Sequence, residues 1–231
     1  MTALDTAVDP LTRARRRVAR TSTAERVADA LREYVVEGHL RPGDRLPELE
    51  ITSKLGVSRN TAREAMSQLV AERVLVREPN RGVFVARPDR SAVREIYRAR
   101  RAIEPGAVRY GDGYADGVAA VRAAVDEGRQ AADGGRWEEV ASANQHFHRA
   151  LVALAGSPRL DHQMALLLAE MRLVFHGMGG VREFHEPYLK RNADICDLLE
   201  AGDRAAAADA VADYLHCAEE QLLASYADQH A

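Results

Sequence analysis

Leu55-Gly56-Val57-Ser58-Arg59-Asn60-Thr61-Ala62-Arg63-Glu64-Ala65-Met66 joins two helical patterns through a single tight turn. Glycine after an apolar residue ends a helix, because it alone enters the left-handed conformation of a C-cap without steric cost. Val57 carries the turn. Ser58 then opens a new helix, its hydroxyl suited to accept a hydrogen bond from one of the first free N–H groups. Arg59, Asn60, Thr61 and Arg63 follow at the start of that helix. Polar and basic groups on the N-terminal turn of the second of two such helices are the means by which a helix-turn-helix reads the major groove.

Upstream, Ser22-Thr23-Ala24-Glu25 has the form of a capping box, and Val27, Ala30, Leu31, Tyr34 and Val35 recur at helical spacing. Gly38 stops this first helix and Arg41-Pro42-Gly43-Asp44 makes a turn. Pro47 can open the second helix, where its missing N–H costs nothing, with Leu49, Ile51 and Leu55 as its apolar contacts. The third helix is predicted from about Ser58 to Glu72, with Ala62, Ala65, Met66 and Leu69 facing inward. Downstream, Val74 and Val76, then Pro79-Asn80-Arg81-Gly82, then Val83 and Val85 read as a hairpin. Residues 21–88 are therefore expected to form a winged helix-turn-helix with a two-stranded wing, and residues 1–20 a flexible basic tail. From residue 91 to 228 strand signals all but vanish. Alanine-rich helical patterns, broken at Gly111–Gly117, Gly134-Gly135, Gly156-Ser157-Pro158, Gly177–Gly180 and Gly202, predict an all-α bundle of about six helices. The fold class is mainly α.

Composition narrows the function. Hydrophobic residues make up 46% of the 231, enough for a sizeable core. The N-terminal arginines are followed by no apolar stretch of signal-peptide type, and no run is long enough to span a membrane. Two cysteines, Cys196 and Cys217, make no disulfide framework, so a cytoplasmic location is expected. The net charge of −3 hides an asymmetry: residues 1–90 carry 17 Lys and Arg against 13 Asp and Glu, residues 91–231 carry 15 against 22. A basic front suits a partner that is a polyanion.

Double-stranded DNA is that expected partner, and each residue type has a task. Arg59 and Arg63 lie one turn apart on one helix face, where a guanidinium can fork onto guanine or clamp phosphate. Asn60 can read adenine, and Thr61 can reach a phosphate or a thymine methyl. At the wing tip, Arg81 suits a narrow minor groove and Gly82 allows close backbone approach. A solvated surface accounts for any one of these residues singly; turn, cap and wing in order do not arise that way.

These residues resemble the GntR family of bacterial transcription regulators. The likeness rests on Leu46, Glu48, Ile51, Leu55-Gly56-Val57-Ser58-Arg59, Arg63-Glu64-Ala65, Leu69 and Pro79-Asn80-Arg81-Gly82, and covers roughly residues 23–87. It departs at Asn60-Thr61-Ala62, where many members have Thr-Pro-Val, so base preference is not carried over. The second half resembles the effector-binding and dimerisation domain of the FadR subgroup, called FCD, at Arg100, Glu104, Phe147-His148, Leu151, Ala155-Gly156, Ala201-Gly202-Asp203 and Tyr214-Leu215. The resemblance implies a homodimeric, ligand-responsive regulator on a two-fold operator, a repressor rather than an activator, with a small carboxylate as the expected effector.

Many FCD domains hold a divalent metal through one Asp and three His. The matching positions here are Asn144, His148, Asn192 and Tyr214, so only His148 keeps its type. Hard or borderline divalent cations favour anionic oxygen and imidazole, and two amides with a phenol supply neither. The four side chains instead suit a hydrogen-bonding cage for a polar organic ligand. The expectation is therefore a metal-free effector pocket of Asn144, His148, Asn192 and Tyr214, with Arg100 available to an effector carboxylate. The alternative is a zinc or nickel site rearranged around His146, His162, His176, His185 or His216. Cys196 and Trp137 are read as packing residues. Two other function classes remain: an enzyme with His148 as general base, which no catalytic motif supports, and a helical sensor or scaffold for protein partners.

Overall fold

A computed structural model describes residues 23–36, 39–176 and 181–228. The basic tail, Ser22 of the expected capping box, Gly38 and the glycines at 177, 179 and 180 lie outside them. The head consists of α1 (Thr23–Val36), α2 (Glu48–Leu55) and α3 (Arg59–Ala71), followed by β1 (Leu75–Glu78) and β2 (Gly82–Val85). Ser58 caps α3, its hydroxyl accepting from the Thr61 N–H at 3.1 Å. Gly56 closes α2 at φ 63°, in the left-handed region that the turn requires. Ala62, Ala65, Met66 and Leu69 are all buried, as the period of α3 predicts.

Several expectations for the head need correction. Pro47 sits at the N-cap of α2 rather than in its first turn, with extended backbone at φ −71° and ψ 123°. Of the apolar residues assigned to α2 only Ile51 is buried; Leu49 is 63% and Leu55 42% exposed. Ile51 is the apolar residue that this short helix turns into the core of the head. On α1, Ala24, Val27, Ala28 and Val35 face the core, while Ala30 and Tyr34 are exposed. In the hairpin, Leu75 is buried and Val76 exposed. The strand starts one residue later than the alternation suggested, with Leu75 opposite Val85 and Glu78 opposite Gly82. Asn80 takes φ 61° in the wing turn, a conformation asparagine tolerates better than most residues. The segment read as a plain turn also adds to the wing: Val85 N–H donates to Asp44 O, and Leu46 N–H to Val83 O.

Six helices make the second half: α4 (Arg90–Tyr110), α5 (Tyr114–Asp133), α6 (Trp137–Ala153), α7 (Pro158–His176), α8 (Val181–Glu200) and α9 (Arg204–Asp228). Asp89 caps α4 by accepting from the Ala92 N–H at 2.8 Å. Gly117, expected in a break, lies inside α5. Gly111 is required at the α4–α5 turn, because a Cβ there would lie 2.0 Å from the Leu154 carbonyl oxygen. α4 packs against α6, α7 and α9, and α8 against α5, α6 and α9, so that α4, α6, α8 and α9 enclose one core. Among the described residues no helix is long and apolar enough to cross a membrane.

Head and bundle are not separate bodies. α1 packs on α7, and Ala169 and Leu173 of α7 belong to the same buried cluster as Val27, Ala28 and Leu69 of the head. The opposite side of α7 enters the bundle through Met171, Val174 and Phe175.

Candidate functional site

The start of α3 presents Arg59 and Asn60 exposed and Thr61 half-exposed. The Thr61 side chain is held beside the cap, 2.8 Å from the Ser58 hydroxyl. Arg63 is exposed too, but its Nε donates to Glu48 Oε2 of α2 at 2.6 Å. Arg81 at the wing tip pairs with Glu78 and lies over the Phe84 ring, 5.5 Å from its centroid. Exposed pairs of this kind are worth little and are readily exchanged for phosphate. Arg59, Asn60, Thr61 and Arg63 thus share one end of α3, and Arg81 with Gly82 occupies the wing turn, as the sequence places them.

In the bundle, the fold brings together four side chains from three helices. Asn144 and His148 lie one turn apart on α6, Asn192 on α8 and Tyr214 on α9. The amide oxygen of Asn144 accepts from Asn192 Nδ2 at 2.8 Å and from the Tyr214 hydroxyl at 2.9 Å. The His148 ring packs edge-on against Tyr214, with centroids 5.0 Å apart. The four residues predicted as a cage therefore form one group, in which Asn144 bonds Asn192 and Tyr214, and His148 meets them through the Tyr214 ring. Tyr214 is buried, which pushes its phenol well above the ordinary value, so it remains a neutral donor.

Arg100 is not free for an effector in this conformation. Its Nε donates to Glu104 Oε1 at 2.6 Å, within α4 and fully buried. Glu104 also receives His148 Nδ1 at 2.7 Å. Burial pushes the Glu104 carboxyl up, but Arg100 and then His148 outweigh it and hold it below the ordinary value. Burial likewise depresses His148 and prevails over the pull of Glu104. A carboxylate cannot donate, so neutral His148 carries its proton on Nδ1 and turns a bare Nε2 inward.

Among the described residues that Nε2 has no hydrogen-bond partner; nor do Arg100 Nη2, Asn192 Oδ1, Arg172 Nε and both ring nitrogens of His185. Buried polar groups are normally satisfied, so such a concentration marks a place prepared for a ligand or water. A small pocket lined by Asn144, Asn192 and His185, with Gly128 and Ala143, has a volume of about 10 Å³, roughly one water molecule.

The donor set does not fit a divalent metal. Asn144 Oδ1 is taken by two donors, and the carboxylate of Glu104 is taken by Arg100 and His148. Among the described residues no three His, Cys, Asp or Glu side chains converge on a point where an ion could sit. His146 pairs with Glu127 at the surface, His216 is exposed beside Glu220, His162 is exposed and His176 half-buried.

Two buried groups, Glu104 and Arg172, are absent from the expected site, and a third, His185, is expected only as a possible ligand of a rearranged metal site. Glu104 was noted only for its likeness to the FCD pattern, yet it stands one turn from Arg100, the spacing of an ion pair on one helix face. Arg172, a lone cation within Met171-Arg172-Leu173-Val174-Phe175, is 2% exposed, and His185 is 1% exposed. An isolated arginine in an apolar run was the available signal for Arg172.

Comparison with known proteins supports the architecture. Residues 95–216 match the FCD domain and residues 23–85 the family described as bacterial regulatory proteins, gntR family. The chain is 28% identical over 195 residues to a probable D-xylose utilization operon transcriptional repressor of Paenarthrobacter nicotinovorans, covering 81% of this chain and 83% of that one. It is 30% identical over 183 residues to the HTH-type transcriptional regulator BphR of Paraburkholderia xenovorans, covering 73% and 74% respectively. A GntR transcriptional regulator from Rhodococcus sp. RHA1 superposes with a TM-score of 0.79 at 40% identity, over 87% of this chain and 98% of that one.

Proposed function

Since the chain belongs to the GntR family of bacterial regulatory proteins, with an FCD domain behind its DNA-binding head, we propose that it is a homodimeric cytoplasmic repressor, released from its operator by a small carboxylate metabolite. Members of the family are ligand-responsive transcription regulators, not enzymes. The reading of this chain as a DNA reader is carried by one observation: a helix capped by Ser58 that projects Arg59 and Asn60 into solvent at its N-terminal end. Dimerisation follows from what a two-fold operator demands of a reader with one head per chain. Repression is supported by the named role of the Paenarthrobacter relative.

The test is binding, by fluorescence anisotropy at physiological salt, to duplexes that the protein itself selects from a random pool. Arg59→Ala and Arg63→Ala should each cost about 1–3 kcal/mol. Undiminished affinity in the double variant would remove the assignment of α3 as the recognition helix.

Glu48 bears on the same experiment. Its carboxylate neutralises Arg63 in the free protein, so a phosphate must displace it. Glu48→Gln is expected to tighten DNA binding and to steepen the salt dependence by about one released counterion. An unchanged salt slope would show that Arg63 touches no phosphate.

A further inference from the structure

The wing is wider than its two strands. Gly43 N–H donates to Val85 O, Val85 N–H to Asp44 O and Leu46 N–H to Val83 O, so residues 43–46 run antiparallel beside β2, with Arg45 opposite Phe84. Side chains alternate along such an extended segment. Leu46 is buried in the head core, which sends Arg45 to the outer face of the wing. There it stands beside Phe84, whose partner across the hairpin is the exposed Val76.

Arg45 differs from Arg81 in what answers its charge. The Arg81 guanidinium is neutralised by Glu78 and lies over the Phe84 ring. Arg45 is exposed and makes no ion pair with a described residue. Its side chain leans onto the wing turn: a Cβ at Gly82 would stand 3.4 Å from Arg45 Nε and 3.7 Å from Nη2. Gly82 itself takes φ 120°, a conformation that a side chain would strain. The bare backbone of Gly82 therefore serves twice, for the turn and as the bed on which the Arg45 guanidinium lies. A full charge carried at the tip of a wing without a counter-charge matches one feature of a duplex. Where A·T pairs narrow the minor groove its negative potential deepens, and a guanidinium, more weakly hydrated than an ammonium, enters at lower cost.

We infer that Arg45 is the minor-groove residue of the wing: its guanidinium enters the narrow groove beside the bases that α3 reads and selects A·T pairs there, while Arg81 exchanges Glu78 for a phosphate. This deepens the reading of the head as a DNA reader and rests on it. The role expected of Arg81 passes to a residue 36 positions earlier in the chain, delivered to the same turn by the third segment of the wing.

The test uses the full chain and duplexes that keep the core it selects, with the base pairs on both sides of that core made all A·T, all G·C or all I·C. Inosine is guanine without its 2-amino group, so an I·C pair shows the minor-groove face of A·T and the major-groove face of G·C. By fluorescence anisotropy the wild type should bind A·T and I·C flanks about equally. It should bind G·C flanks about 5- to 150-fold more weakly, the range for a mismatched base pair. Arg45→Ala should bind all three alike, at about the wild-type affinity for G·C flanks, and Arg45→Lys should keep only part of the discrimination. Arg81→Ala should weaken all three by one factor and leave the discrimination intact. Arg149→Ala, exposed on α6, should match the wild type.

A wild type indifferent to its flanks, or discrimination that survives Arg45→Ala, would overturn the assignment. So would an Arg45→Ala loss of the same factor on all three duplexes, the mark of a phosphate contact or of a merely structural side chain. Failure of the regulator reading looks different: the protein selects no duplex at all, which removes the role of Arg45 with it, or its binding ignores Arg59 and Arg63.

Discussion

Glu104→Ala is expected to lower stability by about 3–5 kcal/mol, the usual cost of removing one member of a buried ion pair. In a chain of this size that amounts to roughly 6–20 °C in melting temperature. The reason is the number of groups left stranded. Arg100, fully buried, loses the carboxylate that accepts from its Nε, while His148 loses the acceptor for Nδ1. Neither can turn to water, since both are about 2% exposed. Chemical denaturation in urea measures the loss. The double variant Arg100→Met with Glu104→Leu should be more stable than Glu104→Ala, because replacing both charges with apolar groups of similar volume removes the desolvation penalty together with the pair. A cost under about 1 kcal/mol for the single variant would mean that water reaches Arg100. The pH dependence has a definite sign. The carboxyl is held below its ordinary value of 4.5 in the folded chain. Its contribution is therefore complete above that value and is lost as the pH falls through the lower folded one.

Leu173→Ala should cost about 2–5 kcal/mol, the range for truncating a buried leucine. Leu173 is 1% exposed and, although it belongs to the bundle by sequence, it packs among head residues including Val27 and Leu69. The cavity would open under α1. Melting followed by head-specific and bundle-specific probes is expected to show the head transition falling furthest. DNA affinity should fall with it, since α1 packs directly on α3. Coincident small shifts of a degree or so, with DNA binding intact, would contradict the shared core.

The head was legible because its signals are local. A left-handed Gly56, the Ser58 cap and the period of α3 each concern residues within a few positions of one another, and all three are realised. Leu49 and Leu55 were misread because an apolar residue has no obligation to be inside, whereas a folded surface always carries apolar atoms. Val76 was misread because the alternation of a strand says which residues share a face but not which face is buried.

For the cage, only the pairing of Asn144 with His148 is a matter of helix spacing. Asn192 and Tyr214 were found through resemblance to a family register, and their contact with Asn144 confirms that they lie together. Glu104 was overlooked as a site residue because what makes it one is His148, 44 residues away. His185 enters from the sequence only as one histidine of a rearranged metal site, a role its surroundings do not support. Its standing comes from nitrogens that lack partners, a property of packing and not of pattern.

The double allegiance of α7 has a consequence for descent. Regulators of this architecture look modular, and exchanging heads between them at the linker near residue 88 is the obvious route to new operators under old signals. Here the seam in the sequence is not the seam in the core. A foreign head would inherit Ala169 and Leu173 as neighbours it had never met. A viable recombinant must therefore either carry a compatible α7 or mend that contact afterwards. Heads and bodies of this kind should consequently evolve as matched pairs, with the side of α7 that meets α1 changing in step with the head.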